Sequence, residues 1–306
     1  MLYRDFGTTG WQVGAVGLGT WNIGNQWGTV DEETAFATVR AAFEAGMNLF
    51  DTAESYGLPN GFSEERLGRG LAGIRHRVYL VSKIGNWGKR TGGGVPKDTA
   101  DLIRICAHAS LHRLRTDWHD VLLCHEGDIE DPTIYLEGFE ALVEEGRLRY
   151  YGISTNSIEV LKKFNRHGTC TVVQVDYSLL NRQPEEEFLP YCEQEGIAVM
   201  ARGPLAKGLL SGRYDLDSVF ADDVRAGFNR GQAGRAEYEA QVAQVARLAE
   251  NVAPGGEMVA KALGYALSHS TRPVVIPGAK SPVQASANAA AGRSELSADE
   301  CERLRI

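Results

Sequence analysis

Apolar residues along the chain fall in short runs separated by longer stretches of helical periodicity. The short runs are Val16–Gly19, Met47–Asp51, Val78–Lys83, Asp120–Cys124, Tyr150–Ser154, Val172–Val175, Ile197–Ala201 and Pro273–Ile276. Most are rich in Val, Ile, Leu or Tyr and apolar on both faces, the pattern of parallel strands covered on both sides. Amphipathic periodicity predicts helices over Asp31–Ala45, Ser63–Leu71, Lys97–Leu114, Ile134–Glu145, Ser157–Phe164, Glu185–Glu195 and Glu257–Ser268. At one helix start the Ser63 hydroxyl is expected to cap free N–H groups, with Glu64 and Glu65 answering the helix dipole.

Eight strands alternating with helices predict an α/β fold, a (β/α)8 TIM barrel forming a single domain over residues 1–306. The alternative, an open doubly wound sheet, normally shows G-x-G-x-x-G after its first strand, and no such run stands in that context. Two segments lie outside the alternation. Residues 1–15, with turn residues Gly7–Gly10, predict an N-terminal β-hairpin covering one barrel end. Residues 211–256 form a long excursion, loop-like over Ser211–Gly234 and helical over Ala236–Asn251, so extra helices are expected in the C-terminal half.

Composition narrows the partners. A net charge of -8 gives no electrostatic reason to expect nucleic acid or an anionic membrane. No apolar run reaches the ~20 residues of a membrane span, and the first residues lack the apolar stretch of a signal peptide. The five cysteines form no C-x-x-C pair, so neither a disulfide framework nor a zinc site is indicated, and a cytoplasmic location is the expectation. His108 and His112 have the spacing of a metal pair but lack the glutamate of H-E-x-x-H; no metal is expected. The Thr91–Gly94 run lacks the lysine and hydroxyl of a phosphate loop and reads as a flexible connection.

Active sites of such barrels lie at the C-terminal strand ends. There the sequence sets Asp51, Lys83 and His125 at the ends of three neighbouring strands, with Tyr56 just beyond Asp51. Taken singly, each has a bland role: helix cap, surface cation, core histidine or loop packing. Together they are chemically consistent. An ammonium beside a tyrosine stabilises its phenolate, an aspartate keeps the ammonium charged, and a neutral histidine orients a substrate oxygen. Such a set can protonate the alkoxide formed when hydride reaches a carbonyl carbon. Trp21 and Trp87 follow the first and third strands, as pocket walls or as loop packing.

The segments Asn48–Gly57, Ser63–Gly68, Val81–Lys83 and Asp120–His125 resemble, in order, the signatures of the aldo-keto reductase family. The resemblance extends from Leu18 to Asn288. It implies a catalytic tetrad of Asp51, Tyr56, Lys83 and His125, with Tyr56 as proton donor. It also implies NADP(H), bound without a Rossmann motif. Ser154, Asn156 and Gln174 would grip the nicotinamide amide, although Thr155 competes with Asn156 for that contact because the family usually has Ser-Asn adjacent. Arg202 would also contact the cofactor: many relatives carry an aromatic there to stack on the nicotinamide, and a flat guanidinium can stack in its place. Gly203, Pro204, Leu205 and Gly208 would approach the pyrophosphate, and Gly278, Lys280, Gln284 and Asn288 would clamp the adenosine end. Ala287 replaces the family's usual Glu there.

The expected function is therefore reduction of an aldehyde or ketone, a small-molecule carbonyl substrate, with oligomerisation possible but not required. The alternative from another class is an NADPH-binding sensor resembling ion-channel β-subunits.

Overall fold

The computed structural model describes residues 1–89, 92–252 and 257–305; Arg90, Thr91, 253–256 and Ile306 lie outside it, among them part of the Thr91–Gly94 run and the end of the 211–256 excursion. Two short strands, β1 (Tyr3–Asp5) and β2 (Gln12–Gly14), pair antiparallel as the expected hairpin. Eight parallel strands follow in sequence order: β3 (Leu18–Gly19), β4 (Leu49–Asp51), β5 (Tyr79–Ile84), β6 (His119–Cys124), β7 (Leu148–Ser154), β8 (Val172–Asp176), β9 (Ala198–Arg202) and β10 (Val274–Val275). The sheet curls back on itself. Parallel bridges Val16↔Val275 and Gly19↔Gly278 join first strand to last, with Gly17 N–H donating to the Val275 carbonyl at 2.9 Å.

The barrel interior is an apolar plug built from alternate strand residues. Leu49, Val81, Val121, Leu123, Val172, Met200 and Val274 are buried there, and Phe6 and Val13 of the hairpin seal it from below. The other strand faces bury Phe50, Leu80, Leu122, Ile153 and Val173 against the helices. These are α1 (Glu32–Glu44), α2 (Phe62–Gly70), α3 (Ala100–Leu114), α4 (Thr133–Glu144), α5 (Ile158–Phe164), α6 (Phe188–Glu195), α7 (Arg235–Glu250), α8 (Glu257–Leu267), α9 (Pro282–Ala291) and α10 (Ala298–Leu304). The ring of helices closes where α1 packs against α9. Among the described residues no helix is long and apolar enough to cross a membrane.

Three helix starts differ from expectation, each because a polar side chain was recruited elsewhere. Ser63 does not cap α2. Gly61 holds the cap position in the left-handed region, while the Ser63 hydroxyl donates to the Thr20 carbonyl at 2.7 Å and Glu64 turns inward. The third helix starts at Ala100, because Thr99 Oγ1 accepts from Leu102 N–H and Lys97 is drawn into a buried pair with Glu54. The sixth starts at Phe188. Ahead of it Glu185 sits in a one-turn 3-10 helix and accepts from Tyr177 (2.8 Å) and Tyr265 (2.7 Å). The terminal α10 went unanticipated, although Ser297 and Glu300 form a complete capping box.

The excursion after β9 is organised by its own aromatic cluster, Tyr214, Phe220, Phe228 and Tyr238. Arg225 threads it, paired with Asp222 at 2.7 Å and donating to Tyr214 Oη at 2.6 Å.

Candidate active site

Strand β4 ends on Asp51 and β5 carries Lys83 near its end, two parallel neighbours whose register pairs Asp51 with Val81. Between Asp51 and α2 the chain makes a tight loop. Glu54 N–H donates to the Lys83 carbonyl at 3.1 Å, and Tyr56 N–H donates to the Ala53 carbonyl at 3.0 Å. The loop can turn because residue 57 is glycine. Its φ of +120° is unfavourable for other residues, and a Cβ there would lie 2.7 Å from Phe62 Cβ.

Lys83 is the hub. Its Nζ lies 2.8 Å from Asp51 Oδ1 and 2.9 Å from Oδ2, donates to the Thr52 carbonyl at 2.7 Å, and reaches Tyr56 Oη at 3.2 Å. Lysine and aspartate are both buried. Burial pushes the Asp51 carboxyl upward, opposed by Lys83 and by the Gln174 amide. Burial also acts against the Lys83 ammonium, but Asp51 and then Tyr56 outweigh it and hold the lysine above its ordinary range. With lysine on both carboxylate oxygens and Gln174 Nε2 donating to Oδ1 at 2.7 Å, the pair stays ionised.

His125 follows β6. Its ring lies 5.8 Å from that of Tyr56, edge to face, and Nδ1 is 3.5 Å from Ser55 Oγ. The four tetrad candidates thus converge around the Tyr56 hydroxyl. Trp21 stacks on the Tyr56 ring at 5.5 Å. Trp87 instead packs on the guanidinium of Arg113, 5.1 Å away, whose Nε donates to buried Glu64 at 2.6 Å.

Several residues the sequence reading did not single out hold this arrangement. Buried Gln26 accepts through one oxygen from both Trp21 Nε1 (2.5 Å) and Gly57 N–H (2.8 Å), so it fixes the stacking tryptophan and the loop that carries Tyr56 together. Glu54 accepts from Gly85 N–H at 2.8 Å and pairs with Lys97 at 3.4 Å, both side chains buried. The acidic residue inside Asp51–Tyr56 was the one visible signal for this brace.

Across the mouth, Ser154, Gln174 and Arg202 end β7, β8 and β9 or lie close to their ends. The Thr155 hydroxyl turns away, donating to the Gly127 carbonyl at 2.5 Å and accepting from Ser157 N–H at 3.0 Å. Asn156 Oδ1 accepts from Asp176 N–H (3.0 Å) and Arg202 Nη2 (2.9 Å), which leaves its Nδ2 to donate. Gln174 donates through Nε2 to Asp51, which leaves its oxygen to accept. A donor left on Asn156 and an acceptor left on Gln174 are the complement of a carboxamide.

Beyond Gly203 and Pro204, the chain passes Leu205 and then Ala206, Lys207 and Gly208, all three with positive φ. On the far side, Ser281 caps α9, Lys280 Nζ donates to the Trp27 carbonyl at 3.0 Å, and Gln284 Oε1 accepts from Lys280 N–H at 2.8 Å. Asn288 braces the same loop through the Gly278 carbonyl at 3.3 Å. Gly278 itself is required by close approach: a Cβ there would lie 1.7 Å from Asn22 Oδ1. A helix N-terminus with a hydroxyl and an adjacent ammonium suits a phosphate.

The other barrel end offers no comparable chemistry. A depression of about 390 Å³ is lined there by Trp11, His76, Arg77, Trp118 and Arg149. Its buried Asp120 is already saturated by Arg75 (2.8 Å), Arg149 (2.9 Å), Trp118 Nε1 (3.1 Å) and Leu80 N–H (2.9 Å). Among the described residues no group of three or more His, Cys, Asp or Glu is placed to hold a metal ion.

Comparison with known proteins agrees with this geometry. The model of the aldo/keto reductase family matches residues 15–306. The chain is 34% identical to the uncharacterized oxidoreductase YqkF of Bacillus subtilis (strain 168), covering 100% of this chain and 96% of that protein. Among solved structures, the holo form of the aldo-keto reductase AKR11C1 from Bacillus halodurans superposes with a TM-score of 0.82 at 30% identity, over 100% of this chain and 95% of that one. An aldo/keto reductase from Klebsiella pneumoniae, in complex with NADP and acetate, superposes with a TM-score of 0.71 at 30% identity, over 99% and 94%.

Proposed function

Given that the chain belongs to the aldo/keto reductase family, we propose that it reduces a small aldehyde or ketone to an alcohol with NADPH, and that Tyr56 supplies the proton. The observation that carries this reading is the placement of Tyr56 Oη 3.2 Å from Lys83 Nζ, with Lys83 fixed by Asp51.

Bound NADPH supplies the hydride that attacks the carbonyl carbon; the carbonyl oxygen takes a proton, and the products are an alcohol and NADP+. The chain's own residues do the rest. Tyr56 releases its hydroxyl proton to the oxygen, and the Lys83 ammonium stabilises the phenolate left behind. Asp51 keeps that ammonium charged and aimed. His125 orients the carbonyl oxygen beside Tyr56, and Trp21, stacked on Tyr56, walls the pocket.

Ser154, Asn156 and Gln174 are assigned to the nicotinamide carboxamide, on the strength of the donor left on Asn156 and the acceptor left on Gln174. Gly203, Pro204, Leu205 and Gly208 are assigned to the pyrophosphate. Lys280 and the start of α9 are assigned to the 2′-phosphate, with Gly278, Gln284 and Asn288 shaping that loop. The test is NADPH absorbance decay with para-nitrobenzaldehyde. Wild type turns over, whereas Tyr56→Phe loses on the order of 10²–10⁴ in kcat and keeps its NADPH affinity. A Tyr56→Phe enzyme as fast as wild type would refute the assignment.

A further inference from the structure

The charges around the mouth bear on which redox form of the cofactor the protein prefers. Arg202 lies at the end of β9, its side chain 37% exposed. It donates to Asn156 Oδ1 at 2.9 Å, and its Nη1 stands 3.6 Å from Asp176 Oδ2. Its field also reaches the catalytic network, where it acts on the Asp51 carboxylate in the same sense as Lys83. Asp176 is flanked by a second cation, Lys207. The mouth therefore sets three cations, Lys83, Arg202 and Lys207, around the two carboxylates Asp51 and Asp176. A guanidinium cannot shed its proton in a protein, so Arg202 keeps its charge at any assay pH.

NADPH and NADP+ carry the same phosphates and differ chiefly in the nicotinamide ring, neutral when reduced and cationic when oxidised. We propose that Arg202 is a specificity-determining residue that discriminates against the oxidised cofactor, with Asp176 moderating the effect. The inference rests on the assignment of Asn156 and Gln174 to the nicotinamide amide, because that assignment sets the ring beside Arg202. Repulsion between the guanidinium and the ring cation raises the dissociation constant of NADP+ and leaves that of NADPH nearly untouched. The bound couple is thereby biased toward its reduced form, and the spent cofactor leaves readily after each turnover.

The experiment measures both dissociation constants by quenching of intrinsic fluorescence at pH 8, without substrate, for wild type, Arg202→Leu, Arg202→Lys and Asp176→Asn. The expected wild-type ratio, NADP+ over NADPH, exceeds one. Arg202→Leu narrows it by about tenfold, equivalent to about 30 mV in the potential of a two-electron couple. Arg202→Lys retains the ratio, since the charge is conserved, and Asp176→Asn widens it. Because a ratio is read, a general weakening of binding in any variant does not mimic the result. An unchanged ratio in Arg202→Leu overturns the inference and leaves the cofactor assignment standing. Failure of the wild type to bind either form overturns both.

Discussion

The side-chain amide of Gln174, on β8, donates to Asp51 Oδ1, on β4, at 2.7 Å, a bond that crosses the mouth of the barrel. On the assignments proposed above, binding and chemistry are joined through this one amide. Gln174→Met removes a donor from a buried carboxylate, a loss of about 1–3 kcal/mol, and also removes the acceptor assigned to the carboxamide. The expected outcome is a roughly tenfold weaker NADPH dissociation constant together with a lower kcat. Fluorescence titration and steady-state kinetics on the same preparation check it, and a variant altered in only one of the two would break the proposed link.

Lys280 is assigned to the group that distinguishes NADPH from NADH. Lys280→Met is expected to lower the NADPH-over-NADH ratio of kcat/KM by at least about tenfold, the scale of one charge-assisted contact to phosphate. NADH kinetics should hardly change. Equal losses with both cofactors would instead indicate that Lys280 matters through its bond to the Trp27 carbonyl.

The buried Glu54–Lys97 pair ties the loop that carries Tyr56 to Gly85 at the end of β5. Burial pushes the Glu54 carboxyl upward, opposed by Lys97. Lys97→Met leaves that carboxylate without its cation and is expected to cost about 3–5 kcal/mol in urea unfolding. The double variant Glu54→Gln, Lys97→Met should recover a good part of the loss. If it is no more stable than the single variant, the pair is not coupled.

His119 is fully buried, and burial lowers its pKa to about 3. Above pH 6.5 the imidazole is neutral in both folded and unfolded chains. As pH falls from 6.5 toward 3, the unfolded chain takes up a proton that the folded one refuses. Stability from this group is therefore present above 6.5 and declines at about 1.4 kcal/mol per pH unit below it. His119→Gln should show a correspondingly flatter slope in unfolding free energy between pH 6.5 and 5. An identical slope would reject the assignment.

The barrel was legible in the sequence because strands buried on both faces must be apolar throughout, so the runs around Leu80, Leu122 and Val173 mark themselves. Asp51, Tyr56, Lys83 and His125 stood out as a group because they are local to strand ends and chemically odd there. What stayed hidden depends on contacts between loops far apart in sequence. Gln26 reads as an ordinary polar loop residue until Trp21 and Gly57 meet on its oxygen. Ser63 carries a helix-cap signal that the Thr20 carbonyl overrides. The bond of the Thr155 hydroxyl to the Gly127 carbonyl, which favours Asn156 for the proposed carboxamide contact, is one that no spacing reveals. The packing of Trp87 on Arg113, from a helix, is likewise a contact that position along the chain does not show.

The seam between β3 and β10 also separates what is local in the chain from what is not. Val16 and Val275 become partners only after nearly the whole chain exists, and Asn22 meets Gly278 across the same seam. The residues from Asp51 to His125 lie within one stretch of the chain and do not draw on the seam. The loops that face each other across it carry Trp27 and Lys280. The assigned phosphate clamp therefore depends on closure of the barrel in a way the residues assigned to proton transfer do not, so a disturbance of the seam is expected to reach cofactor binding first.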